Sequence, residues 1–231
     1  MPIPAPTLRF DTKRVLVTSA DLYLGPASAE RVRSAGARVI EDHGRYVDDP
    51  DEPRRIVEAA GNVDVLVLNL LARPVVRPAV EITDDDWSSM FAHMVDPTLR
   101  FIRAVLPQMI ERGAGKIVAI TSASPLRAIP GRAAYTAARG AQNAFIRVVG
   151  AESARSNVQI NAVAQNYVYG GYPADALDNP RIREELGRDV PAGRLAQEWE
   201  AAELVLFLAS GGSDFISGEV VPFTGGWVTA R

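Results

Sequence analysis

Short apolar runs alternate with helical segments along most of this 231-residue sequence, and this alternation limits the fold more than any other feature. Strands are predicted over 13–20, 38–42, 63–69, 115–124, 158–166 and 218–226. Helices are predicted over 26–37, 54–61, 84–113, 133–154 and 198–210. The apolar runs are continuous, which is typical of parallel strands buried on both faces. We therefore expect an α/β fold of three layers, with a mostly parallel sheet between helices, in one domain over 1–231.

Composition and charge exclude several classes of function. The sequence is 47% hydrophobic, which suits one sizeable core, and its net charge of −3 does not favour nucleic acid binding. It contains no cysteine, and its two histidines, His43 and His93, stand in unrelated contexts, so no metal site is expected. The first residues lack the order of a signal peptide, and no apolar run reaches membrane-spanning length. A cytoplasmic protein without a membrane partner is therefore expected.

The predicted sheet indicates where a site would lie. Residues 1–11 form a predicted irregular arm, because three of the first six are prolines. In open parallel sheets, ligands bind beyond the carboxyl ends of the strands. The residues that follow the first, third, fourth and fifth strands are therefore the candidates for a site.

The turn after the first predicted strand is poor in glycine. In a dinucleotide-binding fold, glycines at this turn let the backbone approach the pyrophosphate at a helix N-terminus. Residues 18–25 contain Gly25 alone, and Ser19 and Tyr23 carry side chains within the turn. Asp21 adds a negative charge beside the expected pyrophosphate position, and Asp42 after the second strand is interpreted as a solvated surface carboxylate. Dinucleotide binding is therefore predicted to be lost, and no cofactor is expected.

Three polar residues are expected to meet at the carboxyl edge of the sheet. Ser122 follows the fourth strand, Tyr135 stands thirteen positions later, and Arg139 is four residues beyond Tyr135 on the same helix face. A guanidinium stabilises a neighbouring phenolate, so Tyr135 can act as a general base while Ser122 hydrogen-bonds the substrate oxygen. A simple surface pair of Tyr135 and Arg139 is the alternative, and the position of Ser122 argues against it.

The chain resembles the short-chain dehydrogenase/reductase fold over nearly its whole length. The resemblance lies in the segments DVLVLN, ITSAS, AAYTAARGA, INAVAQN and LVLFLASGGSDFISGEVVPFTGG. It implies a Rossmann-like domain. Within this group the chain is most similar to the halohydrin dehalogenases, which use no nicotinamide and share the pattern of Ser122, Tyr135 and Arg139.

Other positions of the sequence fit the same resemblance. The dehalogenases carry an aromatic residue in the first turn, as at Tyr23, and an Asn-Tyr pair after the fifth strand, as at Asn166 and Tyr167. Met94 stands where the redox relatives carry an asparagine. Gln165 departs from the family, in which a proline is usual at that place.

The resemblance implies a reaction and a set of binding residues. Vicinal haloalcohols would be converted to epoxides with release of halide and a proton, and epoxides would be opened in reverse by azide, cyanide or nitrite. The halide and substrate would be bound by six residues, namely Tyr23, Gln165, Asn166, Tyr167, Val168 and Tyr172. Three of them, Tyr167, Val168 and Tyr172, lie in a predicted substrate and halide loop region over 167–190. Within this region, residues 167–180 are predicted to form a lid over the substrate.

Two other functions remain open at this stage. One is a nicotinamide-dependent oxidoreductase on the same fold, and the other is a scaffold or binding protein without catalysis. The resemblance also implies a homotetramer, with the helices over 84–113 and 133–154 at one interface.

Overall fold

One parallel sheet organises the chain, in a computed structural model that describes residues 8–169 and 179–229. Its elements are, in chain order, β1 (Arg14–Val17), α1 (Gly25–Ser34), β2 (Arg38–Glu41), α2 (Glu52–Ala60), β3 (Val65–Leu68), α3 (Asp84–Arg112), β4 (Gly115–Ser122), α4 (Ala133–Ser153), β5 (Val158–Gln165), α5 (Pro180–Asp189), α6 (Glu198–Ala209) and β6 (Val220–Phe223). The strand order is β2-β1-β3-β4-β5-β6, and every pair is parallel. The predicted Rossmann-like α/β fold is confirmed.

Helices cover both faces of the sheet, so the core has two halves. On β4, Ile117 and Ala119 belong to the half beneath α2, α3 and α4, whereas Val118 and Ile120 belong to the half beneath α1 and α6. This alternation follows from the strand geometry, in which successive side chains point to opposite faces. The continuous apolar run of β4 is therefore needed to fill both halves.

Local sequence signals set the ends of the long helix α3. Thr83 and Asp86 form a capping box, in which the Thr83 side chain accepts a hydrogen bond from the Asp86 N–H. Gly113 ends the helix in the left-handed conformation, with φ of 61°. Pro97 and Pro107 lie inside the helix without ending it.

The turn between β1 and α1 requires its glycine. A Cβ atom built on Gly25 would lie 2.5 Å from the carbonyl oxygen of Ser19, which is closer than any real contact. The helix therefore starts close against the loop that precedes it. This close approach brings Tyr23, two residues earlier, to the carboxyl edge of the sheet.

One helix was absent from the sequence prediction. The region 167–190 was predicted as a loop, yet Pro180–Asp189 forms α5. Asn179 caps this helix by accepting a hydrogen bond from the N–H of Arg181, and Pro180 occupies its first turn. The segment was missed because it is rich in charge and short of apolar periodicity, although the Asn-Pro pair is a helix-start signal. No helix among residues 8–169 and 179–229 is long and apolar enough to cross a membrane.

Candidate active site

A buried arginine lies at the centre of the site. Arg139 is only 2% exposed, and its Nε donates a hydrogen bond to the Tyr135 hydroxyl at 3.1 Å. Its Nη1 donates to the carbonyl oxygens of Leu70 at 3.0 Å and Ile120 at 3.3 Å, and to Oε1 of Gln142 at 2.8 Å. The guanidinium carbon also lies 5.3 Å from the centre of the Tyr135 ring. The buried Arg139 and the half-buried Tyr135 therefore form a fixed unit, in contrast to a loose surface pair.

Ser122 ends β4 at the same edge of the sheet. Helix α4 is tied to this end of β4, because Asn143 Nδ2 donates to the Ser122 carbonyl at 3.2 Å and Arg139 reaches the carbonyl of Ile120. The Ser122 hydroxyl oxygen accepts a hydrogen bond from the Ser124 N–H at 3.1 Å. Its O–H has no acceptor among the described residues, so it can donate a hydrogen bond to a ligand.

The loop after β1 is held by hydrogen bonds in a strained conformation. Ser19 and Tyr23 have positive φ angles of 43° and 54°, which are unfavourable for residues with a Cβ. Asn69, directly after β3, donates from Nδ2 to the carbonyls of Ser19 at 3.0 Å and Leu22 at 2.8 Å. The Ser19 N–H donates to the Tyr46 hydroxyl at 3.0 Å. Such strain persists only where surrounding contacts determine the conformation.

Tyr23 lies close enough to the Tyr135–Arg139 unit for the charges of both residues to act on its phenol. Its half-buried ring packs against the core beneath α1 and α6. Loss of solvent raises the pKa of its phenol well above the ordinary value, and the charge of ionised Tyr135 raises it further, while Arg139 opposes the rise. Tyr23 therefore stays neutral.

Asp42 differs from its predicted role as a solvated surface carboxylate. It is half-buried, accepts a hydrogen bond from the Tyr46 hydroxyl and receives a second from the Gly44 N–H at 3.3 Å. Burial and the neighbouring Asp42 charge raise the pKa of Tyr46, so that its hydroxyl remains a donor. Tyr46 was not predicted from the sequence. It meets Ser19 only through a tertiary contact, and no local sequence pattern indicates that contact.

Asp21 carries a charge that is already paired. Arg45 Nη2 lies 2.8 Å from its carboxylate, and His43 lies 3.4 Å away. The hydrogen bond from Arg45 holds the pKa of the Asp21 carboxyl below its usual value. The residues after β2 thus fold back onto the loop after β1.

The segment that leaves β5 at the carboxyl edge of the sheet forms one bridge and leaves two of its backbone N–H groups unpaired among the described residues. Val168 pairs with Ala196, and the bonds of this bridge run through the Tyr169 N–H and the Tyr167 carbonyl. Within the described ranges, the N–H groups of Tyr167 and Val168 have no protein acceptor. Two adjacent unpaired N–H groups at a turn can bind an anion.

The side chains of the same segment differ in their contacts, since Oε1 of the buried Gln165 has no hydrogen-bond partner among the described residues. Gln165 is 4% exposed, and Asn166 Nδ2 donates to the Thr224 carbonyl at 3.0 Å. The Tyr167 ring packs on the core and meets Trp227, with ring centres 6.2 Å apart. Tyr172 and most of the proposed lid lie outside the described residues.

Trp227 was not assigned to the site by sequence, but it supports Tyr167. Its Nε1 donates to Asp189 at 2.6 Å, and the Arg127 guanidinium stacks 4.6 Å from its ring centre. The Trp227 hydrogen bond, followed by Arg127, holds the pKa of Asp189 below its usual value. The end of α5 therefore orients the aromatic support of the segment after β5.

A cavity of about 490 Å³ opens beside the loops that follow β1 and β3 at the carboxyl edge of the sheet. It lies between Leu22 of the first loop, Leu71 after β3 and Met90 of α3. Leu71 follows Leu70, whose carbonyl binds Arg139. The volume lies within the range of small-molecule sites. In the part of the chain that the structure describes, no group of His, Asp or Glu side chains is arranged to hold a metal ion.

Comparison with known proteins agrees with the fold and offers two chemistries. The 3-oxoacyl-(acyl-carrier-protein) reductase FabG of Thermotoga maritima is 29% identical over 96% of this chain and 100% of that protein. A solved structure described as a dehalogenation enzyme has a TM-score of 0.88 and 29% identity, covering 94% of this chain and 99% of that one. A gluconate 5-dehydrogenase from Burkholderia cenocepacia, in complex with NADP and tartrate, has a TM-score of 0.89 and 27% identity, covering 98% and 99%.

A family model assigns the chain to a superfamily. The model described as Enoyl-(Acyl carrier protein) reductase matches residues 51–228, well over half of the chain. The protein therefore belongs to this family, within the short-chain dehydrogenase/reductase superfamily of enzymes.

Proposed function

We propose that the protein converts vicinal haloalcohols to epoxides without a nicotinamide cofactor, and that it opens epoxides with small anions in reverse. The observation that carries this proposal is the position of Tyr23 beside Tyr135 and Arg139. An aromatic ring at this place would occupy part of the space that a nicotinamide needs next to the general base. The room that remains would suit a departing halide better than a nicotinamide ring.

In the proposed mechanism, Tyr135 as phenolate removes the hydroxyl proton of the substrate. Ser122 donates a hydrogen bond to the same oxygen, and Arg139 stabilises the phenolate that accepts the proton. The oxygen attacks the neighbouring carbon, so that a C–O bond forms as the carbon–halogen bond breaks. Halide leaves with the bonding pair, and Tyr135 passes its proton to solvent. Because the attack is intramolecular, orientation supplies much of the rate.

The departing halide would be received at the segment after β5. The unpaired N–H groups of Tyr167 and Val168 are the proposed donors, and Tyr23 is the proposed wall. The positive ring edges of Tyr23 and Tyr167 also suit an anion.

The residues present do not fit a bound dinucleotide well. Gly25 is the one glycine in the turn after β1. Its missing side chain is already required where the start of α1 packs closely against Ser19. Asp42, at the end of β2, already accepts hydrogen bonds from Tyr46 and Gly44. A ribose would have to displace these bonds.

A nicotinamide-dependent oxidoreductase is the rival function, and the names of the relatives favour it. The similar gluconate 5-dehydrogenase structure is a complex with NADP. Titration of NADPH and NADH against the tryptophan fluorescence of the protein distinguishes the two. We expect no saturable binding, and binding with turnover of a ketone substrate would establish the rival.

The direct test of the mechanism is halide release by active-site variants. We expect Tyr135→Phe to lower kcat/KM for a simple chloroalcohol by about a hundredfold or more, because the general base is lost. Ser122→Ala should lower it by about tenfold, the loss of one hydrogen bond to a developing charge. Ser34→Ala, an exposed serine on α1, is the matched control and should change nothing. Equal release by the wild type and Tyr135→Phe would exclude the mechanism.

A further inference from the structure

Gln142 is a buried residue that links Arg139 to a neighbouring helix. It lies one turn after Arg139 on α4 and is 1% exposed. Its Oε1 accepts from Arg139 Nη1 at 2.8 Å. Its Nε2 donates to the Met94 carbonyl at 2.9 Å and to Thr98 Oγ1 at 2.8 Å, both on α3. The side chain therefore connects the active-site arginine to the turn of α3 around Pro97.

The hydrogen bonds of Gln142 allow one orientation of its amide. A guanidinium only donates, so Oε1 has to face Arg139. The Met94 carbonyl only accepts, so Nε2 has to face α3. The Thr98 hydroxyl donates to the same carbonyl at 2.6 Å, which leaves its oxygen free to accept from Nε2. A flipped amide would place Nε2 against the Arg139 guanidinium, donor against donor, and Oε1 against the Met94 carbonyl, acceptor against acceptor.

Gln142 satisfies Arg139 without cancelling its charge. The acceptors of the guanidinium are the Tyr135 hydroxyl, two backbone carbonyls and the Gln142 amide, all of them neutral. Among the described residues, no carboxylate pairs with Arg139. A buried cation without a counter-ion attracts any anion formed beside it, and the Tyr135 phenolate is the group in contact.

We propose that Gln142 is a positioning residue, which holds the Arg139 guanidinium against Tyr135 while leaving its full charge to stabilise the phenolate. This inference rests on the proposed role of Tyr135 as the base of the reaction. Its consequence is that the activity at neutral pH depends on a side chain that does not touch the substrate. The supporting Thr98 hydroxyl and Met94 carbonyl extend this dependence to α3.

The first test replaces the amide by an apolar side chain of similar length. In Gln142→Met, Arg139 loses one acceptor and its fixed position, so the phenolate is less stabilised. We expect the acid limb of kcat/KM for halide release to move to higher pH by about one unit. At neutral pH, kcat should fall about tenfold with KM nearly unchanged. Gln159→Met is the matched control, because Gln159 is a buried glutamine (5% exposed) at the opposite end of β5.

Two further variants keep the inference testable if Gln142→Met does not fold. Gln142→Glu retains the acceptor but introduces a counter-charge, so the acid limb should also move to higher pH while Arg139 remains held. Thr98→Val removes one support of the amide, and a smaller shift in the same direction is expected. A merely structural role predicts lower thermal stability in these variants with an unchanged pH profile.

A second readout separates this inference from the proposed reaction. The ultraviolet difference absorbance of tyrosinate, taken against Tyr135→Phe, reports the ionisation of Tyr135 without turnover. If the wild type releases no halide but Gln142→Met moves this titration to higher pH, the reaction is wrong and the positioning role stands. If the titration and the pH profile of Gln142→Met and Gln142→Glu both match the wild type, the positioning role is overturned.

Discussion

Only some of the contacts of Arg139 could be predicted from the sequence. Its spacing of four from Tyr135 places both on one helix face, so their contact was predictable. Its other acceptors come from Leu70 after β3, from Ile120 on β4 and from Gln142. The first two are backbone carbonyls, which every residue carries, so the sequence does not indicate which of them will bind Arg139. Only the folded sheet shows these two contacts.

Replacement of Arg139 by lysine tests whether the guanidinium shape matters. An ammonium group has no planar fork, so it cannot reach Tyr135 and both carbonyls from one position. We expect Arg139→Lys to lower the free energy of unfolding by about 1–3 kcal/mol, as measured by urea denaturation. Halide release should fall by at least about tenfold. Arg147→Lys, at an exposed position of α4, is the control, and equal effects of the two substitutions would contradict the account.

Tyr23 should act through its ring, since burial keeps its phenol neutral. In Tyr23→Phe the acid limb of the pH–rate profile should therefore keep its wild-type midpoint. Tyr23→Ala removes the wall, and chloride should then inhibit at least about tenfold more weakly, as measured by product inhibition. A shifted midpoint in Tyr23→Phe would show that Tyr23 itself titrates during catalysis.

Elements were predictable where caps and apolar periodicity agreed. Helix α3 was predicted over 84–113 and spans Asp84–Arg112, because Thr83 and Gly113 mark its ends. The first strand was predicted to run over 13–20, but β1 ends at Val17. Its following residues turn aside, since Tyr46 and Asn69 bind the Ser19 backbone. These partners are distant in sequence, so the local pattern gave no sign of them.

The first turn of α6 offers a test based on pH. Arg194 binds the Glu200 carboxylate through two bonds of 2.7 Å, and the Gln197 N–H adds a third. These bonds lower the pKa of Glu200 from its ordinary 4.5 to about 2. The folded state therefore prefers the ionised form, and the resulting stability is present above pH 4.5 and is lost as the pH falls towards 2.

Glu200→Gln should accordingly be less stable than the wild type by about 1 kcal/mol at pH 7. This difference should shrink as the pH falls below 4.5, in urea denaturation measured across the range. Glu198→Gln, in the same turn, is the matched control and should have a smaller effect, because no hydrogen bond or ion pair joins the Glu198 side chain to another described residue and the helix dipole still acts on it. A difference that is constant with pH would refute the assigned role of Glu200.

At the scale of the whole molecule, we propose that the chain assembles as a homotetramer through α3 and α4. Exposed apolar residues lie on both helices, with Leu99 at 45% and Val148 at 57% exposure. Sedimentation should give about four times the 24.9 kDa chain mass. Val148→Asp should reduce the assembly, whereas Val80→Asp, 94% exposed outside both helices, should not. A monomeric wild type would contradict this proposal.

The central claim concerns the whole molecule, because its fold and family are shared with oxidoreductases while the reaction that we propose is a different one. The most direct measurement uses nucleotide-free protein with a vicinal chloroalcohol, and quantifies chloride, epoxide and ketone together. We predict chloride and epoxide in equal amounts, no ketone, and no increase in rate on addition of NADP. Turnover that requires NADP and yields a ketone without chloride would contradict the account.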